Sequence, residues 1–293
     1  MVACLQDKYE LHAISYKAKK NYGISNLYTW ETIETISDSY LAVIHLAGLA
    51  HDTQNQRDES DYFNVNVGLT QKLITQLDKW NVSTFIYLSS VKAVVDSTSS
   101  TSITEDAKLA AKNVYGRSKL AAEQAILSSN AYANKIVLRP VLIYGPGQKG
   151  NLNALEKLIH KGIWFPFKNW DNRRSVLSVH NLTSTIKSLL MKSIPSGVYF
   201  IADDTPVSTV DILNAIGSGS NHKVRFIPIP NGLIKFGLSI LPKRLSALTD
   251  KIFGSLEVDT SKLKTALGIS TMPHDTAIDL PRSFEKLSNN LTT

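Results

Sequence analysis

The chain is 293 residues long, 43% hydrophobic and 19% charged, enough for one large or two modest cores and unlike a low-complexity or disordered protein. Its one cysteine, Cys4, excludes an internal disulfide framework and reads as a reducing, cytoplasmic compartment; no apolar run reaches the length of a membrane span, and the first residues lack a secretory pattern. The formal charge of +7 is scattered along the chain, which argues against a nucleic-acid-binding face and suits a phosphorylated small molecule.

Residues 1–8 read as the end of a helix, and Tyr9 to Tyr16 as a strand with Leu11, Ala13 and Ile14 at its apolar positions. Tyr40 to Ala47 is a second strand, nearly continuous in apolar residues, as expected when both faces are covered. A polar loop from His51 to Asp61 leads to a helix over Phe63 to Leu77, then to a strand over Thr84 to Leu88 that ends in Ser89-Ser90. A Ser/Thr-rich loop precedes a helix that runs from Tyr115 to Leu127, and Lys135 to Leu138 is a further strand ending at Arg139-Pro140. Strands alternating with helices predict a parallel sheet with helices on both faces.

After Tyr144-Gly145-Pro146-Gly147 the pattern changes. Asn153 to Lys161 reads as a helix, Trp164 to Asn172 as irregular and aromatic, Ser175 to Val179 as a short strand and Asn181 to Met191 as a helix. Val198 to Ala202 is a strand, Thr209 to Ile216 a helix capped by Ser208, Val224 to Ile229 a strand, and Leu233 to Leu241 a short amphipathic packing helix. The fold class is therefore α/β. Residues 1–145, together with about 175–205, form a Rossmann-like domain, and 146–293 a smaller mixed lobe.

The chemistry centres on Tyr115-Gly116-Arg117-Ser118-Lys119. A Tyr and a Lys four apart on a helix share a face. An ammonium there can lower the pKa of the phenol, and such a phenol can trade protons with an alcohol or ketone. Ser90 precedes Tyr115 by 25 positions (115 − 90), enough for a loop to bring its hydroxyl beside the phenol. Spacing alone equally fits an ordinary amphipathic helix with a surface lysine.

With its neighbours the motif says more. Val43-Ile44-His45-Leu46-Ala47-Gly48, Val65-Asn66-Val67 with Thr70, Leu88-Ser89-Ser90-Val91-Lys92, Tyr115-x-x-x-Lys119, Leu138-Arg139-Pro140 and Tyr144-Gly145-Pro146-Gly147 follow in order. Together they resemble the extended short-chain dehydrogenase/reductase family, in its nucleotide-sugar epimerase and reductase branch. Gly150-Asn151-Leu152 and Asn172-Arg173-Arg174-Ser175 resemble the bacterial members acting on UDP-N-acetylhexosamines. The resemblance implies a nicotinamide cofactor, NAD or NADP, a UDP-sugar substrate, a homodimer, and a role in surface polysaccharide biosynthesis. It implies Tyr115 as the acid/base at the sugar 4-hydroxyl and Ser90 as the hydroxyl bonded to the same oxygen. Lys119 would hold the nicotinamide ribose and depress the Tyr115 pKa. Ala47, Gly48, Asn66 and Pro140 would border the cofactor, and Asn151, Leu152, Arg174 and Lys251 would receive the substrate, mainly its diphosphate.

Two departures matter. The family opens with a buried strand and a Gly-x-x-Gly-x-x-Gly turn that lets a dinucleotide pyrophosphate approach a helix N-terminus. Here the first glycine is Gly23, beyond the first readable strand. The first strand, its turn and the start of the first helix are expected to be missing, with sheet edges left open and dinucleotide binding weak. Lys17, Lys19 and Lys20 after that strand lean towards NADP. The second departure is Val91-Lys92 directly after Ser90, where the family's dehydratases carry Asp-Glu, so 4,6-dehydration is not expected. The predicted activity is C4 oxidoreduction, as a 4-epimerase or a 4-keto reductase. The alternative is a truncated, non-catalytic Rossmann-like remnant acting as a regulatory binding module.

Overall fold

A computed structural model describes residues 1–16, 23–50, 57–96, 98–131, 133–147, 150–239, 250 and 252–285. Short helix α1 (Val2–Leu5) precedes strands β1 (His12–Ile14) and β2 (Asn26–Tyr28). These two pair in parallel, His12 opposite Asn26. Strand β3 (Ala42–His45) leads to helix α2 (Glu59–Phe63), a turn of π-helix (Asn64–Gly68) and helix α3 (Leu69–Ile74). Strands β4 (Thr84–Leu88) and β5 (Asn134–Pro140) flank the 15-residue helix α4 (Val114–Ser128).

Strands β3, β4, β5 and β9 (Gly197–Ile201) form a four-stranded sheet in that order. β3 pairs β4, and β4 pairs β5, both in parallel. The α/β expectation holds. The sheet is in two pieces: β1 pairs with β2, and β3 ends the four-stranded piece among the described residues. Val43 and Ile44 on β3 are only half-buried, whereas Phe85, Ile86 and Tyr87 on β4 are fully covered, as an edge strand beside a central one should be.

The chain divides into two compact units. One comprises residues 1–93, 113–139 and 183–199, the other 94–112, 140–182 and 200–293. The first has a core of Trp30, Leu73, Leu77, Trp80, Phe85 and Ile126, with Ile14 and Val43 packed against it. Each such side chain, fully buried, contributes about 1.5–3 kcal/mol.

The second unit holds β6 (Leu142–Tyr144) paired in parallel with β8 (Val176–Ser178), and β7 (Trp164–Phe165) paired with β10 (Arg225–Phe226). Its helices include α5 (Asn151–His160), α6 (Val179–Met191, shared with the first unit), α7 (Thr209–Gly219), α8 (Asn231–Ser239), α9 (Ser261–Leu267) and α10 (Thr276–Arg282). Ser208 caps α7 as expected: its hydroxyl accepts from Asp211 N at 3.0 Å. Asp203 ties this unit together, accepting from Tyr144 Oη at 2.7 Å, Asn181 Nδ2 at 2.7 Å and Ser178 N at 3.0 Å.

Several expectations shift. The polar loop ends earlier, because Asp58 and Asp61 close a reciprocal capping box that starts α2 at Glu59. The irregular aromatic stretch contains β7, which pairs with β10, and β10 shrinks to two residues. β2 and β6 are strands where none was expected.

Candidate active site

Helix α4 positions the central pair. Its N-cap is Asn113, whose side chain accepts from Gly116 N at 2.8 Å, so the helix starts one residue before Tyr115. Tyr115 and Lys119 then lie one turn apart on the same face. The Ser90 hydroxyl lies beside the Tyr115 phenol, near enough to pull its pKa down. Ser90 is fixed in turn: its Oγ accepts from Lys92 N at 3.2 Å in the tight turn after β4.

Lys119 is 4% exposed. Its ammonium donates to the Leu88 carbonyl at 2.7 Å and lies 4.4 Å from the centre of the Tyr87 ring. Burial lowers its pKa to about 7, against the charge of Glu123, which raises it. The expected effect on Tyr115 is corrected here. Burial raises the phenol pKa, the Ser90 hydroxyl opposes it, and Tyr62 adds to the rise. The ammonium is turned to Leu88 O and the Tyr87 face, so it does not lower the phenol in the chain by itself.

Asn66 is fully buried in the π-helical turn. Its Oδ1 accepts from Leu49 N at 2.7 Å, and its Nδ2 donates to Leu49 O at 3.1 Å and to Ser118 Oγ at 2.8 Å. The one side chain therefore ties the loop after β3 to α4, and π-turns often occur at such functional junctions. Ala47 and Gly48 lie in that loop. A Cβ on Gly48 would stand 3.1 Å from Asn66 Oδ1 and 3.3 Å from Lys119 Nζ, so the glycine keeps open the space in front of both groups. That space, its amide and its ammonium suit the ribose side of a nicotinamide dinucleotide.

Three buried residues, Glu123, Arg139 and His45, were given no role by the sequence. Glu123 pairs with Arg139 (Nη2–Oε2 2.6 Å, Nε–Oε1 3.0 Å) and accepts from Ser89 Oγ. The spacing 115, 119, 123 was the available signal, since it continues one helical stripe. His45, 2% exposed, sits at 2.9 Å from Thr70 Oγ1 through Nε2. Thr70 gives its own proton to Asn66 O at 2.6 Å, so the histidine Nε2 carries the hydrogen. Burial, with the Lys119 charge, holds His45 neutral, its pKa lowered to about 3.

The predicted substrate residues lie in the second unit. Asn151 and Leu152 open α5; Asn151 is exposed, and the Leu152 side chain is core, which leaves its backbone as the group on offer. The Arg174 guanidinium donates to Gly254 O at 2.6 Å and Asp250 O at 3.4 Å. Pro140 is buried at the end of β5. Lys251, and the cofactor-discriminating Lys17, Lys19 and Lys20, lie outside the described residues.

A serine–phenol pair beside a buried lysine, on a parallel sheet wrapped by helices, defines an enzyme of the NAD-dependent epimerase/dehydratase kind, an extended short-chain dehydrogenase/reductase. The chain belongs to the 3-beta hydroxysteroid dehydrogenase/isomerase family, whose description its residues 5–226 match. It is 30% identical over 234 residues to a UDP-glucose 4-epimerase of Vibrio cholerae, covering 77% of this chain and 70% of that protein. It is 26% identical over 258 residues to 3beta-hydroxysteroid dehydrogenase/Delta(5)-Delta(4) isomerase 1 of Caenorhabditis elegans, of which it spans 55%. Among solved structures, the UDP-N-acetylglucosamine 4-epimerase of Bacillus cereus superposes with a TM-score of 0.72 at 21% identity, over 97% of this chain and 92% of that one. RMD from Pseudomonas aeruginosa, complexed with NADPH, gives 0.67 at 18% identity, over 97% and 95%. These likenesses bear on the fold. No helix of the described residues is long and apolar enough to cross a membrane.

Proposed function

We propose that this chain carries the proton-transfer machinery for oxidoreduction at C4 of a UDP-hexose or UDP-N-acetylhexosamine, as a 4-epimerase or 4-keto-sugar reductase acting in the cytoplasm in polysaccharide assembly. The observation that carries the reading is Tyr115 and the buried Lys119 one turn apart on one face of α4, with the Ser90 hydroxyl beside the phenol. The relatives' names support the substrate class.

When bound, NAD or NADP supplies the hydride carrier for C4. Tyr115 Oη takes the 4-hydroxyl proton, or returns it to a 4-keto oxygen, and Ser90 Oγ hydrogen-bonds that same oxygen. A phenol raised by burial holds its proton, which suits the donor half of that exchange. Lys119 and Asn66, beside the space Gly48 leaves open, receive the nicotinamide ribose, with Ala47 and Pro140 bordering the cofactor. Asn151, the Leu152 backbone, Arg174 and Lys251 serve the substrate diphosphate.

The test is incubation with UDP-glucose or UDP-N-acetylglucosamine, or the 4-keto-6-deoxy derivative of the latter, at millimolar NAD(H) or NADP(H), with product analysis of C4 configuration. Turnover by the wild type, lost in Tyr115→Phe, is the expected result. No turnover of any of them overturns it in favour of a non-catalytic, Rossmann-like binding module.

A further inference from the structure

The pair Glu123–Arg139 has no part in the chemistry above, yet it is almost wholly enclosed, the two residues 1% and 3% exposed. A buried ion pair is an uncertain source of stability, since apolar residues of similar volume often serve as well. Its position is more informative. Glu123 follows Lys119 by one turn and Tyr115 by two on α4, so all three project along one face. Its carboxylate receives the Ser89 hydroxyl, and the Ser89 N–H donates to Leu138 O at 2.8 Å, next to Arg139. The carboxylate thus joins the end of β4, the end of β5 and α4 beneath Ser90.

We propose that Glu123, clamped by Arg139 and Ser89, is the positioning residue of this site, acting on Ser90 through the Ser89 turn and on Lys119 through its negative charge. The proposal deepens the C4 reading and rests on it for its meaning. The groups around the Lys119 ammonium fit the role. From β3 comes neutral His45, from β4 the Tyr87 ring and Leu88 carbonyl, from the π-turn the Asn66 amide, and from α4 itself Glu123, with Arg139 on β5 paired to the carboxylate. Glu123 is the charge that opposes burial of the ammonium. Without it the lysine would lose its proton at a lower pH and could no longer offer a cation to a ribose or a phenolate.

The measurement is an NMR titration of the full chain with 13Cε-labelled lysine, the Lys119 signal being assigned by its loss in Lys119→Arg. The wild type is expected to titrate near 7, and Glu123→Gln at least one pH unit lower, a tenfold rise in the neutral-to-charged ratio at fixed pH. Glu123→Gln leaves the buried Arg139 charge without its carboxylate; should that variant not fold, Glu123→Gln/Arg139→Met removes both charges and is expected to lower the Lys119 midpoint in the same direction by a smaller step. A wild-type midpoint at the ordinary lysine value of about 10.4, or a titration in either folded variant that superimposes on the wild type, overturns the proposal. Neither sugar nor dinucleotide is present, so its failure leaves the C4 reading standing and is distinct from failure of the turnover assay.

Discussion

Asn66→Asp changes one NH2 to an oxygen and nothing else in shape, which makes it a sharp test of how the loop after β3 is held to α4. The amide nitrogen donates to two acceptors, Leu49 O at 3.1 Å and Ser118 Oγ at 2.8 Å. A carboxylate can donate to neither. Ser118 cannot compensate cheaply, because its proton already goes to Tyr115 O at 2.8 Å. Two lost hydrogen bonds cost about 1 kcal/mol each, and confronting buried acceptors with a carboxylate adds roughly 1–3 kcal/mol, so the variant should be about 3–5 kcal/mol less stable at pH 7. The introduced carboxyl, once protonated, could donate a single hydrogen bond and recover part of this. Its folded pKa would then stand above the unfolded value of about 3.9. The unfolded variant therefore binds fewer protons between those values, and the deficit grows with pH across that window. Urea unfolding of both proteins at pH 4.5 and 7, read as midpoint with unchanged slope, measures it. Ser118→Ala, which removes the acceptor for Asn66 Nδ2 and the donor to Tyr115 O but introduces no charge, should cost about 2 kcal/mol. A deficit below about 1 kcal/mol at pH 7, or one equal at both pH values, would refute the reasoning.

Two further outcomes are expected. His45 is held neutral, its pKa lowered to about 3 against 6.5 unfolded, so the unfolded chain binds more protons between those values. Stability is full above about 6.5 and falls as pH drops towards 3, by roughly 5 kcal/mol in all; urea titrations from pH 7 to 4 should show about 3 kcal/mol of this loss, flattened in His45→Gln. Asp203→Asn turns one acceptor oxygen into an NH2 facing the Tyr144, Ser178 and Asn181 donors, and should cost about 2–4 kcal/mol in the same assay.

What the sequence discloses depends on the range of the physics involved. Tyr115 and Lys119 are readable because a helix sets their relation within five residues, and Ser90 because a strand-ending serine pair lies at loop distance. The strand β4 is readable because Phe85, Ile86 and Tyr87 are buried on both faces. By contrast β2 spans only Asn26–Tyr28, too short for any periodicity, and β6 begins two residues after a strand-ending proline. The π-turn around Asn66 is hidden because one extra residue per turn leaves the apolar pattern nearly intact. The direction of the Tyr115 shift is the plainest case. Spacing says that a cation is near, but whether it outweighs burial depends on where the ammonium points, and it points to Leu88 O.

The same distinction separates the two halves of the proposed chemistry. Ser90, Tyr115 and Lys119 hang on β4, α4 and β5, and that framework is complete. β4 is paired on both sides, Leu88 stands opposite Leu138, and the Ser89–Glu123–Arg139 clamp locks the three elements together. The dinucleotide cradle expected of the fold would instead lean on β3 and β1, and β3 is an edge strand among the described residues. An edge strand leaves one row of its backbone groups unpaired and so loses more than a central strand when a neighbour is absent. The serine–phenol–lysine geometry is therefore held by a strand paired on both sides, while Ala47 and Gly48 follow one paired on a single side among the described residues. A change at Glu123 should accordingly move the Lys119 midpoint and, with it, whatever hold the ammonium has on a nicotinamide ribose.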